Sequence, residues 1–141
     1  MIVIRQLTPA DTPACIAIFE AAWNGAFPHA LRTIDAAAFA LETADETIVV
    51  ATIDGQIIGF AALYAPDAFL HHLYVHPGVQ RGGAGSALLR EMIRRTNGAL
   101  SLKCQLANTR ARAFYAKHNF AEGERGEDHT GPWVRLHATA P

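Results

Sequence analysis

Three glycines within four positions mark the stretch of the chain that is best suited to binding an anion. The stretch covers residues 73–89, and its centre reads Val79-Gln80-Arg81-Gly82-Gly83-Ala84-Gly85-Ser86. Glycine is favoured where the backbone must bend sharply or approach a ligand closely. The helix predicted to follow would direct its free N–H groups and its positive dipole end at that ligand. The pattern therefore predicts an anion site made mostly from backbone, and a phosphate or pyrophosphate fits it best.

Three kinds of phosphate-binding loop compete for this stretch. A P-loop needs Lys and then Ser or Thr after its second glycine, and no lysine follows here. The dinucleotide-binding fingerprint belongs in the first strand–helix turn, whereas this loop lies in mid-chain, after strands predicted to be antiparallel. The third kind is a coenzyme A (CoA) pyrophosphate site, in which successive amides after a strand hold the diphosphate.

Two adjacent histidines lie on the strand that leads into the glycine loop. Side chains along a strand alternate between its two faces. We therefore expect His71 to share a face with Leu73 and Val75, and His72 to lie on the opposite face. An unperturbed imidazole, with a pKa of about 6.5, can relay a proton at neutral pH.

No metal site is expected from the histidines or the cysteines. A zinc site built from His71, His72 and His76 is disfavoured, because neighbouring strand residues point to opposite faces. Cys15 and Cys104 lie in apolar segments with no close partner. They are interpreted as buried, reduced thiols of an intracellular protein.

The elements that must position these residues follow from hydrophobic spacing and turn signals. A helix start is predicted at Thr8-Pro9-Ala10-Asp11, with its end at Asn24-Gly25, and Asp54-Gly55 predicts a hairpin. Further strands are predicted at 2–7, 47–53, 56–64, 68–75 and 100–106, a closing pair at 120–125 and 133–137 around a polar loop, and helices at 35–43, 85–95 and 108–118. The resulting order, β-α-α-β-β-β-α-β-α-β-β, predicts a mixed α/β fold with one sheet.

The composition limits the classes of protein to which the chain can belong. Its 12 basic and 13 acidic residues lack the basic excess that contacts with nucleic-acid phosphates require. No apolar run approaches the roughly 18–20 residues of a membrane span, and the N-terminus lacks the features of a secretory signal. We therefore expect one domain over residues 1–141, located in the cytoplasm, with neither nucleic acid nor membrane as a partner.

Two blocks of the sequence resemble the signatures of the GNAT superfamily of acyl-CoA N-acyltransferases. The loop from Gln80 to Gly85 is similar to the pattern Gln/Arg-x-x-Gly-x-Gly/Ala. The block from Asn108 to Phe120 resembles Asn-x-x-Ala-x-x-x-Tyr-x-x-x-Gly-Phe, with Asn119 at the usual glycine. Asparagine also tolerates a left-handed backbone, so this departure is compatible with the fold. The resemblance covers essentially the whole chain and implies an α+β domain, with about four helices flanking a mainly antiparallel sheet of about seven strands.

The resemblance implies direct transfer of an acetyl group from acetyl-CoA to an amine, without a covalent enzyme intermediate. It places the backbone of Leu73, Tyr74 and Val75 beside the pantetheine of the cosubstrate. Asn108 matches a position that contacts the pantetheine side. The pyrophosphate contacts are implied for the glycine loop, whose residues are Gln80, Arg81, Gly82, Gly83, Ala84, Gly85 and Ser86.

Proton transfer is implied for two residues, each with an alternative. Tyr115 matches the position that donates a hydrogen bond or proton to the leaving sulfur; otherwise it is a core residue of an amphipathic helix, a role that suits Phe114 better. His71 matches a strand position at which relatives place a base. His72 is the second candidate for the base, and a structural role for both histidines stays open.

The acceptor amine is not identified by the sequence, beyond its being a small-molecule or peptide amine. In relatives, segments equivalent to 23–32 and 123–133 determine acceptor choice. Aromatic residues in these segments would form a wall or join the core, and acidic residues would attract a cationic amine or lie in a solvated turn. The two sets are Trp23, Phe27 and Trp133, and Glu124, Glu127 and Asp128.

A module that binds or senses acyl-CoA without catalysis is the alternative function on the same fold. Retention of Tyr115 together with the complete glycine loop favours the enzyme, because a sensor has no need of an acid at the sulfur. By resemblance alone we also expect a homodimer, because members of the family are commonly monomers or homodimers.

Overall fold

A seven-stranded sheet with helices on both faces forms the framework of the computed structural model, which describes residues 1–79 and 82–139. The strands are β1 (Ile2–Gln6), β2 (Thr47–Ile53), β3 (Gln56–Tyr64), β4 (Phe69–Val75), β5 (Ser101–Gln105), β6 (Phe120–Asp128) and β7 (Gly131–Ala138). The helices are α1 (Thr12–Ala26), α2 (Ala36–Glu42), α3 (Ala84–Arg95) and α4 (Thr109–Lys117). The predicted order of elements and the mixed, mainly antiparallel fold class are confirmed.

One pair of neighbouring strands in this sheet is parallel. The strand order is β1-β2-β3-β4-β5-β7-β6, and every neighbouring pair except β4 and β5 is antiparallel. Helix α3 makes the crossover that a parallel pair requires. The β4–β5 ladder contains only the pairs Phe69↔Ser101 and Leu70↔Leu102. Both strands continue beyond these pairs, so the sheet opens between its two antiparallel parts.

Each face of the sheet buries its own apolar cluster. On one face, α3 packs Leu88, Leu89 and Met92 against the strands, and all three side chains are fully buried. On the other face, α1 and α2 contribute Phe19 and Phe39 to a second cluster. Leucine and methionine at i, i+1 and i+4 form a continuous helical stripe, which explains why α3 lies flat on the sheet.

The turn predictions were correct in conformation, but the end of α1 was predicted wrongly. Asp54 and Gly55 adopt the positive φ angles of the predicted hairpin, at 50° and 80°. Asn119 is left-handed as well, at 66°. Helix α1 does not stop at Asn24-Gly25, because the Phe27 N–H donates to the Trp23 carbonyl at 2.8 Å and continues the helical pattern to Ala26.

The polar loop predicted between the last two strands is instead part of a long hairpin. Strands β6 and β7 pair as far as Asp128↔Gly131, so the charged residues of this segment occupy strand positions. Strand β6 is an edge strand with a mostly exposed surface, and charged residues are commonly placed on such edges. The polarity that indicated a loop thus reflects the position of the strand in the sheet.

No helix in the two described ranges combines the length and the apolar character that crossing a membrane requires.

An ion pair joins β1 to the turn that precedes α1. Arg5 donates to both carboxylate oxygens of Asp11, at 2.8 and 3.0 Å. The Thr8 N–H also donates to Asp11, at 2.7 Å, as the predicted capping box requires. The Arg5 and Thr8 hydrogen bonds hold the pKa of Asp11 well below its ordinary value, although burial opposes them.

Asp11→Asn should lower the free energy of unfolding at pH 7 by about 1–2 kcal/mol, because the amide can still accept from the Thr8 N–H but the charge-assisted hydrogen bonds from Arg5 are lost. A depressed carboxyl pKa stabilises the fold above the unfolded value of about 3.9, and that stabilisation declines as the pH falls towards the folded value. The difference between the two proteins should therefore shrink below about pH 4. Denaturant titrations at several pH values test this, with the exposed Asp67→Asn as the control. A pH-independent difference would contradict the ionic explanation.

Candidate active site

The opening between β4 and β5 forms a cleft of about 1270 Å³. Residues 69–75 of β4 and 102–105 of β5 line its walls. The start of α4 closes one side, and the end of α1 and the tip of the β6–β7 hairpin contribute to the other. The cleft is therefore a direct consequence of the short parallel ladder.

The glycine loop leads into α3 at one end of this cleft. Gly83 has a φ of +90° and occupies the N-cap position of α3, so the left-handed backbone explains its residue type. Gly85 lines the cleft and lies against Phe114, whose Cζ would be 3.4 Å from an added Cβ. Ser86 Oγ lies 2.9 Å from His118 Nε2 and connects α3 to α4. The predicted contacts Gln80 and Arg81 lie outside the described residues.

Helix α4 brings two of the predicted residues into the cleft. Asn108 caps the helix by accepting a hydrogen bond from the Ala111 N–H at 3.1 Å, and it also lines the cleft. Tyr115 lines the cleft from a buried position, with 9% of its surface exposed. Burial raises the pKa of the Tyr115 phenol above its ordinary value, so the hydroxyl keeps its proton at neutral pH. Phe114 is only half-buried, so the expectation that it is the better core residue is wrong.

The predicted orientation of His71 is also wrong, because β4 contains a β-bulge. Ala62 of β3 pairs with His72, and the next residue of β3 pairs with Leu70, which leaves His71 as the extra residue. A bulge interrupts the alternation of side chains along a strand. Leu70 and Leu73 accordingly pack into the same cluster under α3 despite their odd spacing. His71 does not share the face of Leu73 as expected.

Both histidines lie on the face of the sheet that carries α1 and α2. Their ring centroids are 3.9 Å apart, with the planes inclined by 30°. His72 is 7% exposed and packs edge-on against Phe19, at 6.0 Å, and near Phe60. Burial, with help from the positive charges of His71 and Arg32, lowers the pKa of His72 to about 3. The argument that adjacent strand positions keep the two rings apart therefore fails here.

Glu46, a residue that the sequence analysis missed, is hydrogen-bonded to His71. Glu46 Oε2 lies 2.7 Å from His71 Nδ1, and the glutamate side chain is only 7% exposed. Burial raises the pKa of Glu46, and the neighbouring His71 opposes that shift. Glu46 precedes β2 by one residue and is in phase with Ile48, which lies on the α1 and α2 face. The alternation that places Glu46 on this face could be read from the sequence. The register in which β2 and β4 each pair with β3 could not.

Three potential metal ligands meet at the bulge. Glu46, His71 and His72 each offer one ligand atom, and these atoms lie within 4.8 Å of one another. His76, the third histidine considered from the sequence, is not in this cluster. Its Nδ1 accepts a hydrogen bond from the Gly78 N–H at 3.0 Å.

A second cavity of about 450 Å³ lies between the two segments expected to choose the acceptor. Asn24 makes two hydrogen bonds to the backbone of Arg32 and so holds residues 27–32 against the end of α1. The Arg32 guanidinium stacks over Trp23, at 5.0 Å, and pairs with Glu42 at 2.9 Å. Phe27 lines both cavities. Trp23 and Phe27 are both half-buried, and Trp23 also packs against the apolar cluster under α1.

The opposite side of the mouth comes from the β6–β7 hairpin and β5. Trp133 lines the cleft, with Lys103 Nζ 4.4 Å from the centroid of its ring. Of the three acidic residues considered for an amine site, Asp128 lines the cleft. Glu124 instead pairs with Arg135 and His137 on the hairpin. Glu42 also lines the cleft, and its carboxylate is paired with Arg32.

Cys15 and Cys104 are buried and free, as expected. Burial raises the pKa of Cys15 to about 12 and that of Cys104 to about 11. Neither thiol is therefore an activated nucleophile, although Cys104 lines the cleft.

The model of the acetyltransferase (GNAT) family matches residues 12–120. The chain therefore belongs to the GNAT acetyltransferases, and the resemblance read from its two sequence blocks is confirmed. No curated protein sequence matches the chain significantly.

Solved structures of this family share the fold along almost the whole chain. A GCN5-related N-acetyltransferase from Rhodopseudomonas palustris has a TM-score of 0.83 at 21% identity, over 98% of this chain and 95% of its own. The ribosomal-protein-S18-alanine N-acetyltransferase of Escherichia coli has a TM-score of 0.75 at 24% identity, over 100% and 97%. The PaiA N-acetyltransferase of Thermoplasma acidophilum, in complex with coenzyme A, has a TM-score of 0.74 at 18% identity, over 99% of both chains.

Proposed function

We propose that this protein is an N-acetyltransferase that transfers the acetyl group of acetyl-CoA directly to a primary amine of a small molecule or peptide. The observation that carries the proposal is the cleft between β4 and β5, which brings the start of α3, Tyr115 and the Glu46–His71 pair to one cavity. Holding two reactants together in such a cavity can supply much of the reduction of the barrier. The PaiA enzyme that shares the fold was solved with coenzyme A, which supports this choice of cosubstrate.

The geometry at the start of α3 fits the diphosphate of acetyl-CoA. The left-handed Gly83 turns the chain into the helix, and Gly82 and Gly83 are exposed. The first amides of α3 and the positive end of its dipole favour a negative charge at this position. Residues 73–75 of β4 line the cleft next to the loop, so the pantetheine would run beside them and past Asn108.

Tyr115 is the group that would protonate the leaving sulfur. Its side chain reaches the cleft from α4, and burial keeps the phenol protonated. A thiolate is a better leaving group when a proton donor is positioned beside it. The hydroxyl is held by a side chain whose ring packs on Phe114 and Phe120, at 5.2 and 5.5 Å, so little freedom would be lost on binding.

His71, supported by Glu46, is the group that would accept the proton of the amine. His71 lines the cleft with 37% of its side chain exposed, whereas His72, which also lines the cleft, is only 7% exposed and packs among aromatic rings. When Nδ1–H donates to Glu46, the lone pair of the neutral imidazole is on Nε2 and can accept a proton. Glu46 would thus set the tautomer and stabilise the imidazolium that forms. Accessibility favours His71 over His72 as the base.

The mouth of the cleft would select the acceptor. Trp23, Phe27 and Trp133 supply apolar and aromatic surface, and Asp128 supplies negative charge, whereas Glu42 is paired with Arg32. Together they favour an amine attached to an apolar or aromatic group. A turnover screen with acetyl-CoA against monoamines, polyamines, amino acids and peptides tests the proposal. Formation of free thiol without an acetylated amine in every reaction would reject it.

Gly83→Leu should weaken acetyl-CoA binding by at least about tenfold, because a side chain is strained at the left-handed Gly83 and would displace the turn that presents the first amides of α3. Gly98→Leu is the matched control, because Gly98 also has a positive φ (+82°), has no atoms near an added Cβ and follows the other end of α3. Both substitutions strain the backbone by about 1–2 kcal/mol. Calorimetric titration measures the affinities. Equal losses in the two variants would contradict the diphosphate assignment.

Tyr115→Phe should lower kcat roughly 10²-fold while changing the affinity for CoA less than about threefold, since only the proton donor is removed. Steady-state kinetics and CoA titration measure the two effects. Tyr64→Phe, at the end of β3 and outside the residues that line the cleft, provides the same chemical change as a control. Unchanged turnover in Tyr115→Phe would exclude its role as the acid.

His71→Ala should lower kcat/KM about 10²-fold, and Glu46→Gln should lower it by a smaller factor, because the glutamate acts through the imidazole. The double variant should lose little more than His71→Ala alone, as expected for residues that act as a unit. His137→Ala and Glu124→Gln, from the exposed pair at 2.9 Å on the hairpin, are the matched controls. Additive losses, or equal losses in the hairpin pair, would contradict the dyad.

A further inference from the structure

The bulge in β4 creates a group of polar atoms whose bonding is incomplete. Glu46 Oε1 and His72 Nδ1 are buried, and neither has a hydrogen-bond partner among the residues that the structure describes. The Glu46 side chain is 93% buried, given its 7% exposure, and His72 is 7% exposed. Burying a polar atom without a hydrogen-bond partner destabilises the fold, so two such atoms in one place indicate a missing partner.

The arrangement of these residues indicates what kind of partner is missing. Glu46, His71 and His72 present one carboxylate oxygen and two imidazole nitrogens within 4.8 Å of one another. A tetrahedral zinc ion with bonds of about 2.1 Å needs donor atoms about 3.4 Å apart. Because His71 is exposed and its ring lies 3.9 Å from that of His72, a shift of at most about 1.4 Å would bring the ligand atoms to the spacing that zinc requires.

We propose that Glu46, His71 and His72 form a binding site for a divalent transition-metal ion, with zinc as the ion that suits it best. Two imidazoles and one carboxylate suit zinc, whereas magnesium and calcium prefer oxygen ligands alone. The fourth coordination position faces the cleft, because His71 and His72 both line it. The bulge is essential to the site, since only an interrupted alternation lets consecutive residues of one strand act on one ion.

A bound ion would also affect catalysis, a consequence that rests on the proposed function. Zinc would take up the imidazole that the amine needs as its base, so metal and acetyl transfer would exclude each other. The cluster would then inhibit the enzyme when free zinc is available. Direct metal binding and acetyl transfer are separate measurements, so failure of one proposal is distinguishable from failure of the other.

The test is a titration of the full chain, without a polyhistidine tag and after treatment with a chelator, with Zn²⁺ and with Co²⁺. We expect saturable binding of one ion per chain by calorimetry, no binding of Mg²⁺, and the visible absorption bands of four-coordinate Co²⁺. Glu46→Gln, which keeps the side-chain volume, and His71→Ala, at an exposed position, should each weaken binding at least about tenfold. His72→Ala is a third variant, but its buried position makes it less suitable alone.

Glu124→Gln and His137→Ala are the controls, because they alter the other His–Glu pair, at the same kind of distance, outside the cleft. They should leave the affinity for zinc unchanged. Absence of saturable binding in the wild-type chain would overturn the proposal. So would binding that survives Glu46→Gln and His71→Ala, or binding that is lost in His137→Ala.

Discussion

The separation of β4 from β5 is the structural constraint on which the site depends. The two strands form a ladder at only two positions, Phe69↔Ser101 and Leu70↔Leu102. Each strand is held on its other side by a long antiparallel partner, β3 or β7, so the sheet stays intact while its centre opens. A ladder of full length would bring the two strands to about 4.8 Å along their whole length and leave no room for a ligand.

The bulge at His71 is the second constraint, and it determines which side chains meet. In a regular strand, the two histidines would point to opposite faces, and Glu46 could not contact His71 on the face that it shares with His72. The extra residue turns His71 towards the face of His72, where Glu46 lies 2.7 Å away. One local irregularity therefore produces both the candidate catalytic pair and the candidate metal cluster. Bulges are frequent next to active sites for this reason.

The electrostatics of the cleft differ at the two residues proposed to transfer protons. Tyr115 is buried among apolar side chains, and its pKa is raised, which suits a donor. The Glu46–His71 pair combines a buried carboxylate with an accessible imidazole, which suits an acceptor. The difference arises from depth in the fold rather than from residue type alone, because burial opposes whichever form carries charge. The positions of Tyr115 and His71 in the fold thus suit them to the different roles that we propose.

Features that depend on short segments were determined by the sequence alone. The order of strands and helices, the hairpin at Asp54-Gly55 and the left-handed Asn119 follow from local propensities that the structure confirms. The two family blocks identified the superfamily because they combine residue type with fixed spacing. Element ends were less well predicted, as at Asn24-Gly25, because the Asn24 side chain bonds to Arg32 instead of ending the helix.

What only the tertiary structure decided depends on contacts between distant segments. Glu46 and His71 are 25 residues apart, and their meeting requires both the β2–β3–β4 pairing and the bulge. Alternation along a strand was the correct rule, but one extra residue reverses its result, and the sequence carries no local signal for that residue. The cleft itself likewise depends on where a parallel ladder ends. Strand register and bulges are set by packing across the whole sheet. The glycine loop, Tyr115 and His71 were therefore proposed from the sequence, whereas Glu46 and the common face of the two histidines required the fold.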